Sequence, residues 1–310
     1  MRAALLHGPG DLRVREVAEP AGEVVVDVRA ACACGTDVKM LRHGHRILEG
    51  YPCRFGHEMA GTRADTGEPV LVGDSVACGT CAPCRAGRGQ LCRDMTWVLG
   101  GFAERIGAPE AALHRIPPGL PFVAAAMAEP LAAAVHALAR TPAGDDVGVL
   151  GGGTMGQFLA RLAVLDGRRV TLADRHPERR RQAERLGARG RELLGVHDVV
   201  LEAVGRVEAW EQALAAAAPG GCLVLVGGCP AGSAVSWPTG PLHYDEVDVR
   251  GAFHHDRAEV DEALALLAAG DVPWEAFRGE TVGLDGLARA LARPAAGEAR
   301  KVVVDPAARG

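Results

Sequence analysis

One short run limits the fold of this chain more than any other: Gly151-x-Gly153-x-x-Gly156. It follows Asp146-Val147-Gly148-Val149-Leu150, which reads as a short buried strand, and a helix pattern continues from it through Leu165. Glycines at such a junction let a strand turn tightly into a helix. They also let a pyrophosphate approach the helix N-terminus, where free N–H groups and the helix dipole favour an anion. Thr154 and Met155 complete the turn. A second strand, Arg169-Val170-Thr171-Leu172-Ala173, ends at Asp174, about twenty residues on, where an acidic side chain meets an adenosine ribose. Asp174 would accept hydrogen bonds from both ribose hydroxyls and repel a 2′-phosphate, so NAD is favoured over NADP. Arg175, Arg179, Arg180 and Arg181 follow; one of them could neutralise a 2′-phosphate, or all could be solvated helix charges.

The surrounding pattern extends this reading. Pro177 suits a first helical turn and Gly187 a helix C-cap. Further strands are expected at Asp198-Val199-Val200-Leu201, Cys222-Leu223-Val224-Leu225-Val226 and Val247 to Phe253. Strands alternating with helices over 121–256 predict a parallel sheet with crossover helices. Residues 1–120 differ in texture, with short β-rich runs such as Glu23 to Val28 broken by Gly, Pro and Cys. After 257 the pattern is mixed, with an amphipathic helix near Val260 to Ala269 and a late strand, Lys301-Val302-Val303-Val304. The 310 residues suit two domains, one over 1–120 and 257–310 and one over 121–256.

Charge and composition exclude some functions. A formal net charge of −5 argues against a nucleic-acid partner, which calls for a basic excess. No apolar run reaches the roughly eighteen residues of a membrane span. The start, Met1-Arg2-Ala3-Ala4-Leu5-Leu6-His7, does not read as a signal peptide, so a cytoplasmic protein is expected. In that setting nine cysteines, four of them clustered, point to metal rather than to a disulfide framework.

The cluster is Cys78-x2-Cys81-x2-Cys84-x7-Cys92. Four thiolates at this spacing can close a tetrahedral zinc site that holds a loop and leaves no position for chemistry. A second constellation is dispersed: Cys34-Gly35-Thr36-Asp37, then Gly56-His57-Glu58, then Glu129-Pro130-Leu131. Together these offer a thiolate, an imidazole and two carboxylates. Three ligands on zinc with a fourth position open is the pattern of a catalytic site.

With these motifs in place, the chain resembles the zinc-containing medium-chain alcohol dehydrogenases over nearly its whole length. The resemblance implies an α/β protein: a β-rich GroES-like catalytic domain with an inserted Rossmann dinucleotide-binding domain. It places Cys34, His57 and Glu58 on the catalytic-zinc motif, and Glu129 on the glutamate of the polyol and threonine dehydrogenase branches. Cys78, Cys81, Cys84 and Cys92 match the structural-zinc lobe, for two zincs per chain. Gly73-Asp74-Ser75-Val76 and Gly101-Phe102-Ala103-Glu104 match two structural signatures. His243-Tyr244-Asp245-Glu246 with Gly251 to His255 looks like the sugar-alcohol and cyclitol branch.

The implied reaction moves a hydride between a secondary alcohol and NAD, with a small alcohol or ketone as partner and a homodimer or homotetramer as assembly. A threonine or simple alcohol dehydrogenase and a catalytically silent NAD- and zinc-binding regulator remain as alternatives. In the implied mechanism Thr36 bonds the reacting oxygen and passes its proton outward, Asp37 orients His57, and Lys301 approaches the cofactor phosphates or is a strand-end surface lysine. Lys39 stands where many relatives carry a histidine. Lysine stays charged near neutrality, so either a fixed positive charge is expected there rather than a proton relay, or Lys39 is a surface lysine with no role. Arg42-His43-Gly44-His45-Arg46 could receive an anionic group of the substrate, or be a solvated loop. Cys32 and Cys53 read as small packed hydrophobes. Two stretches are trimmed relative to the family: Trp97 to Gly101, and Arg189 to His197, where a third strand and helix would normally lie.

Overall fold

The computed structural model describes residues 1–48, 50–293 and 297–309. The chain divides into two compact units: Met1–Pro130 with Asp256–Pro294 and Arg300–Gly310, and Leu131–His255 with Ala295–Ala299.

The first unit is built on strand Val24–Cys32, where alternation buries Val24, Val26 and Val28 on one face. It pairs antiparallel with Glu58–Arg63, with Arg105–Ala108 and with the returning strand Lys301–Val304. The register sets Cys32 opposite both Glu58 and Val303, so three strands remote in sequence meet in one row. Below the row lies an apolar core in which Phe55 and Phe102 pack edge to face, 4.8 Å between centroids. Phe102 also lies against Gly56, where a Cβ would come within 2.8 Å of its ring and φ is +89°. Only glycine tolerates both at this position. The N–H groups of Gly100 and Gly101 donate to the Gly56 carbonyl at 2.9 and 3.0 Å, so the short stretch after Trp97 braces the residue that precedes His57.

Helix Arg257–Ala269 begins three residues before the position its apolar periodicity predicts. Asp256 and Glu259 form a capping box, and Gly270 closes the helix in the left-handed conformation.

In the second unit six strands form one parallel sheet in the order Arg189–Arg191, Arg169–Ala173, Asp146–Leu150, His197–Glu202, Ala217–Leu225, Asp248–Gly251. The chain runs outward from the Asp146–Leu150 strand in one direction and then in the other. The carboxyl ends of the strands at that reversal are where such sheets bind ligands. The trimmed segment keeps its third strand as a three-residue edge, and residues 192–196 reach the next strand without a helix. The last strand stops at Gly251 rather than Phe253, because its partner ends at Leu225 and pairing runs out. Among the described residues, no helix is long and apolar enough to cross a membrane.

Candidate functional site

Cys34 ends the extended run after Val24–Cys32 and is the N-cap of helix Gly35–His43. Its Sγ accepts the Thr36 N–H at 3.2 Å, and Asp37 Oδ2 accepts the Cys34 N–H at 2.8 Å. The capping box thereby fixes the thiol and carboxylate relative to each other. His57 enters from the neighbouring strand edge. Its Nε2 lies 3.2 Å from Cys34 Sγ and its Nδ1 3.2 Å from Asp37 Oδ1. Asp37 is fully buried, so its carboxyl group faces Cys34 and His57 away from solvent. Burial opposes protonation of His57, but the Cys34 sulfur and the Asp37 carboxylate outweigh it and hold its pKa well above that of ordinary histidine.

Glu58 and Glu129 complete the cluster: donor atoms of His57, Glu58 and Glu129 lie within 4.8 Å of one another, and all three residues are buried. The donors fit zinc. Sulfur and nitrogen ligands on one tetrahedral ion should sit roughly 3.5 Å apart given ordinary bond lengths. Glu58 Oε2 is buried with no hydrogen-bond partner among the described residues, as a carboxylate oxygen reserved for a metal would be.

Lys301 is neither at the surface nor exposed at a strand end. It is buried to 4 % exposure, and its Nζ donates to Glu58 Oε1 at 2.7 Å. Burial works against its charge, yet the negative groups around it, Glu58 foremost, together outweigh burial and hold its pKa above that of ordinary lysine. Burial pushes the Glu58 carboxyl up to about 7 against the pull of Lys301, and Glu129 adds to the rise.

Cys78, Cys81, Cys84 and Cys92 converge, with Sγ–Sγ distances of 4.0 Å for Cys78–Cys84, 3.4 Å for Cys81–Cys84 and 3.9 Å for Cys81–Cys92. Thiolates on one tetrahedral zinc stand about 3.8 Å apart, so this lobe also fits the ion. Hydrogen bonds from Thr80 draw the Cys78 thiol down to about 6, while burial and the neighbouring sulfurs push Cys84 up to about 12.

In the second unit each fingerprint glycine has a separate reason. Gly151 has φ +102°, and a Cβ on it would meet Val204 at 2.6 Å. A Cβ on Gly156 would fall 1.8 Å from the Gly151 carbonyl oxygen. Gly153 faces open space and is the N-cap of helix Thr154–Leu165 without a side-chain cap, which leaves the helix N–H groups for a ligand. The half-buried Thr154 and Met155 form the first turn of that helix. Asp174 follows its strand as expected. Its Oδ2 accepts the Gly152 N–H at 2.7 Å and its Oδ1 the His176 N–H at 2.8 Å. Arg179 Nη1 reaches Asp174 Oδ2 at 3.4 Å, while Arg175 is exposed beside His176.

The sequence reading did not single out Gln157, which is fully buried and donates to the carbonyls of Gly152 and Arg179. A polar residue inside an otherwise apolar helix face is the signal that could have drawn attention to it. Thr36 is half-buried in the first turn beside Cys34, and Lys39 is exposed one turn on. His45 is half-buried; burial first, then the charges of Arg46, Lys39 and His57, hold its pKa below the ordinary value. Lys39, Arg46 and His57 therefore lie close enough to His45 to act on it. Cys32 is fully buried, and Cys53 packs half-buried against the core.

Residues 20–118 match the alcohol dehydrogenase GroES-like domain, and residues 189–269 the zinc-binding dehydrogenase domain. The chain is 31 % identical to an L-threonine 3-dehydrogenase of Chelativorans sp. (strain BNC1), over 91 % of each chain. It is 29 % identical to a sorbitol dehydrogenase of Bacillus subtilis (strain 168), over 88 % of this chain and 87 % of that one. A Sinorhizobium meliloti 1021 protein described as a zinc-binding dehydrogenase, solved bound to NADP, superposes with a TM-score of 0.90. It shares 30 % identity, over 98 % of this chain and 99 % of that one.

Proposed function

The chain belongs to the zinc-containing medium-chain alcohol dehydrogenase family, and from that premise we propose that it oxidises a secondary hydroxyl of a polyol, sugar alcohol or cyclitol to a ketone with NAD, or runs the reverse. It is an oxidoreductase acting on CH–OH. The observation that carries the proposal is a pair of possible ligand groups that share His57, Cys34 with Asp37 on one side and Glu58 with Glu129 on the other, with one Glu58 oxygen unpartnered among the described residues.

Zinc, when bound, supplies Lewis acidity toward the substrate hydroxyl, and the dinucleotide supplies the hydride acceptor. The chain does the rest. Cys34 and His57 would hold the ion with Glu58, with Glu129 beside them. Asp37 sets the orientation of His57 through Nδ1. The Thr36 hydroxyl accepts a hydrogen bond from the substrate O–H and passes that proton outward as its own O–H donates onward. Lys39 adds a fixed positive charge one helical turn away. The Gly151–Gly156 turn binds the pyrophosphate, and Asp174 receives the ribose hydroxyls and disfavours a 2′-phosphate. The four-thiol lobe would hold a second, structural zinc. The active form is a homodimer or homotetramer.

The substrate carries a carboxylate or phosphate. The positive charges of Arg46 and Lys39, both close enough to act on His45, support this. The identity to the Chelativorans threonine dehydrogenase favours L-threonine as the second reading.

A panel read at 340 nm tests these choices, with neutral polyols, their phosphate esters, aldonates and L-threonine, each with NAD and NADP. Turnover of none of them by zinc-loaded protein would point instead to a silent NAD- and zinc-binding regulator. Equal kcat/KM for neutral and phosphorylated forms of one polyol would refute the anionic subsite. An unchanged NAD:NADP preference in Asp174→Ala would refute the role given to Asp174.

A further inference from the structure

Glu58 has two oxygens in different situations. Oε1 accepts from Lys301 Nζ at 2.7 Å, while Oε2 is buried and has no partner among the described residues. We propose that Lys301 is a positioning residue for the metal centre: by occupying Oε1 it restricts Glu58 to a single ligating oxygen, so that the ion keeps a position open for substrate. The inference rests on the zinc reading above and goes beyond it, because it assigns Lys301 to the metal rather than to the cofactor phosphates.

Sheet register is what makes this possible. Glu58 lies opposite Cys32, and Cys32 lies opposite Val303 on the returning strand. Lys301 is two residues before Val303, so its side chain leaves the same sheet face and crosses the row diagonally to Glu58. The Ala33 N–H donates to the Val302 carbonyl at 2.9 Å, which extends the strand pairing to the residue before Cys34. Lysine suits the task. A single ammonium occupies one oxygen, whereas a guanidinium fork would engage both. A carboxylate without this neighbour is free to bind an ion through two oxygens, which raises the coordination number and closes the open position. The pair also supplies the positive charge that two buried carboxylates and a thiol need when crowded together.

The test uses full-length protein with cobalt(II) in place of zinc, because cobalt absorption is strong in four-coordinate sites and weak in five- or six-coordinate ones. Subtracting the spectrum of Cys34→Ala, whose four-thiol lobe is intact, isolates the catalytic band. Wild-type protein should show a strong band, and Lys301→Met should lose about half its intensity or more while NADH affinity stays unchanged. Lys301→Arg keeps the charge and therefore the fold should Lys301→Met not fold. Its fork should withdraw Oε2 and weaken zinc at the catalytic site by about 10–100-fold in chelator competition, the usual effect of losing support behind a ligand. An undiminished band in folded Lys301→Met would overturn the proposal. So would wild-type zinc affinity in Lys301→Arg, or a tenfold loss of NADH affinity with the band unchanged. A wild-type spectrum identical to that of Cys34→Ala would instead sink the zinc reading itself.

Discussion

Asp37→Asn keeps the shape of a buried side chain at the metal site while changing what it offers His57 and Cys34. Asp37 is fully buried; one oxygen accepts the Cys34 N–H at 2.8 Å and the other faces His57 Nδ1 at 3.2 Å. Asparagine has the same shape but only one acceptor oxygen. If that oxygen keeps the Cys34 N–H, the amide NH2 points at His57 Nδ1. The imidazole must then carry its proton on Nε2, the atom beside Cys34 Sγ that has to be bare for a metal. If the amide flips, its NH2 opposes the buried Cys34 N–H and leaves a donor unsatisfied, at about 1–3 kcal/mol. Both outcomes penalise the loaded state. The expected loss is about 10–100-fold in zinc affinity at this site, or about 1.4–2.7 kcal/mol. The four-thiol zinc should be unaffected. Competition against a graded series of chelators, followed by a zinc indicator, resolves the two ions, with Tm as a control for folding. Wild-type affinity at both sites together with wild-type kcat/KM would refute the orienting role of Asp37.

Cys81→Ser should lower zinc content by one ion and Tm together, since closed zinc sites contribute folding free energy; two zincs at an unchanged Tm would contradict the structural role. Gly156→Ala drives a methyl to 1.8 Å from the Gly151 oxygen, so the turn must move. Overpacking of this kind costs about 1–3 kcal/mol, and NADH affinity should fall at least about tenfold in a fluorescence titration, with a wild-type Kd as the opposing result. For pH, the raised His57 pKa in metal-free protein has a definite sign. Its stabilising contribution is complete below the unfolded value of about 6.5 and is lost as pH rises through the folded value. Zinc needs the neutral imidazole, so zinc affinity should rise over the same window. Comparing Tm of chelator-stripped wild type and His57→Gln across pH checks this; a wild-type advantage that grows above neutrality would have the wrong sign.

The features legible in the chain alone are those whose residues are neighbours in sequence. Gly151 to Gly156 needs only the strand before it and the helix after it, and the cysteine lobe closes within fifteen residues, from Cys78 to Cys92. The parallel sheet was readable because a buried strand followed by an amphipathic helix has few ways to pack. Even there, local pattern missed what capping and pairing decide: helix Arg257–Ala269 starts at its Asp256–Glu259 box, and the last strand ends where Leu225 ends. The metal centre divides the same way. Cys34 with Asp37, and His57 with Glu58, could be read as motifs, but the position of the returning lysine could not. Lys301 and Glu58 are 243 residues apart, and no property of Lys301-Val302-Val303-Val304 tells a surface lysine from a buried one. Antiparallel register decides it, by setting Val303 and Glu58 on either side of Cys32. A buried charge persists only where another element brings its counter-charge, so its partner is a property of the assembled sheet rather than of either segment.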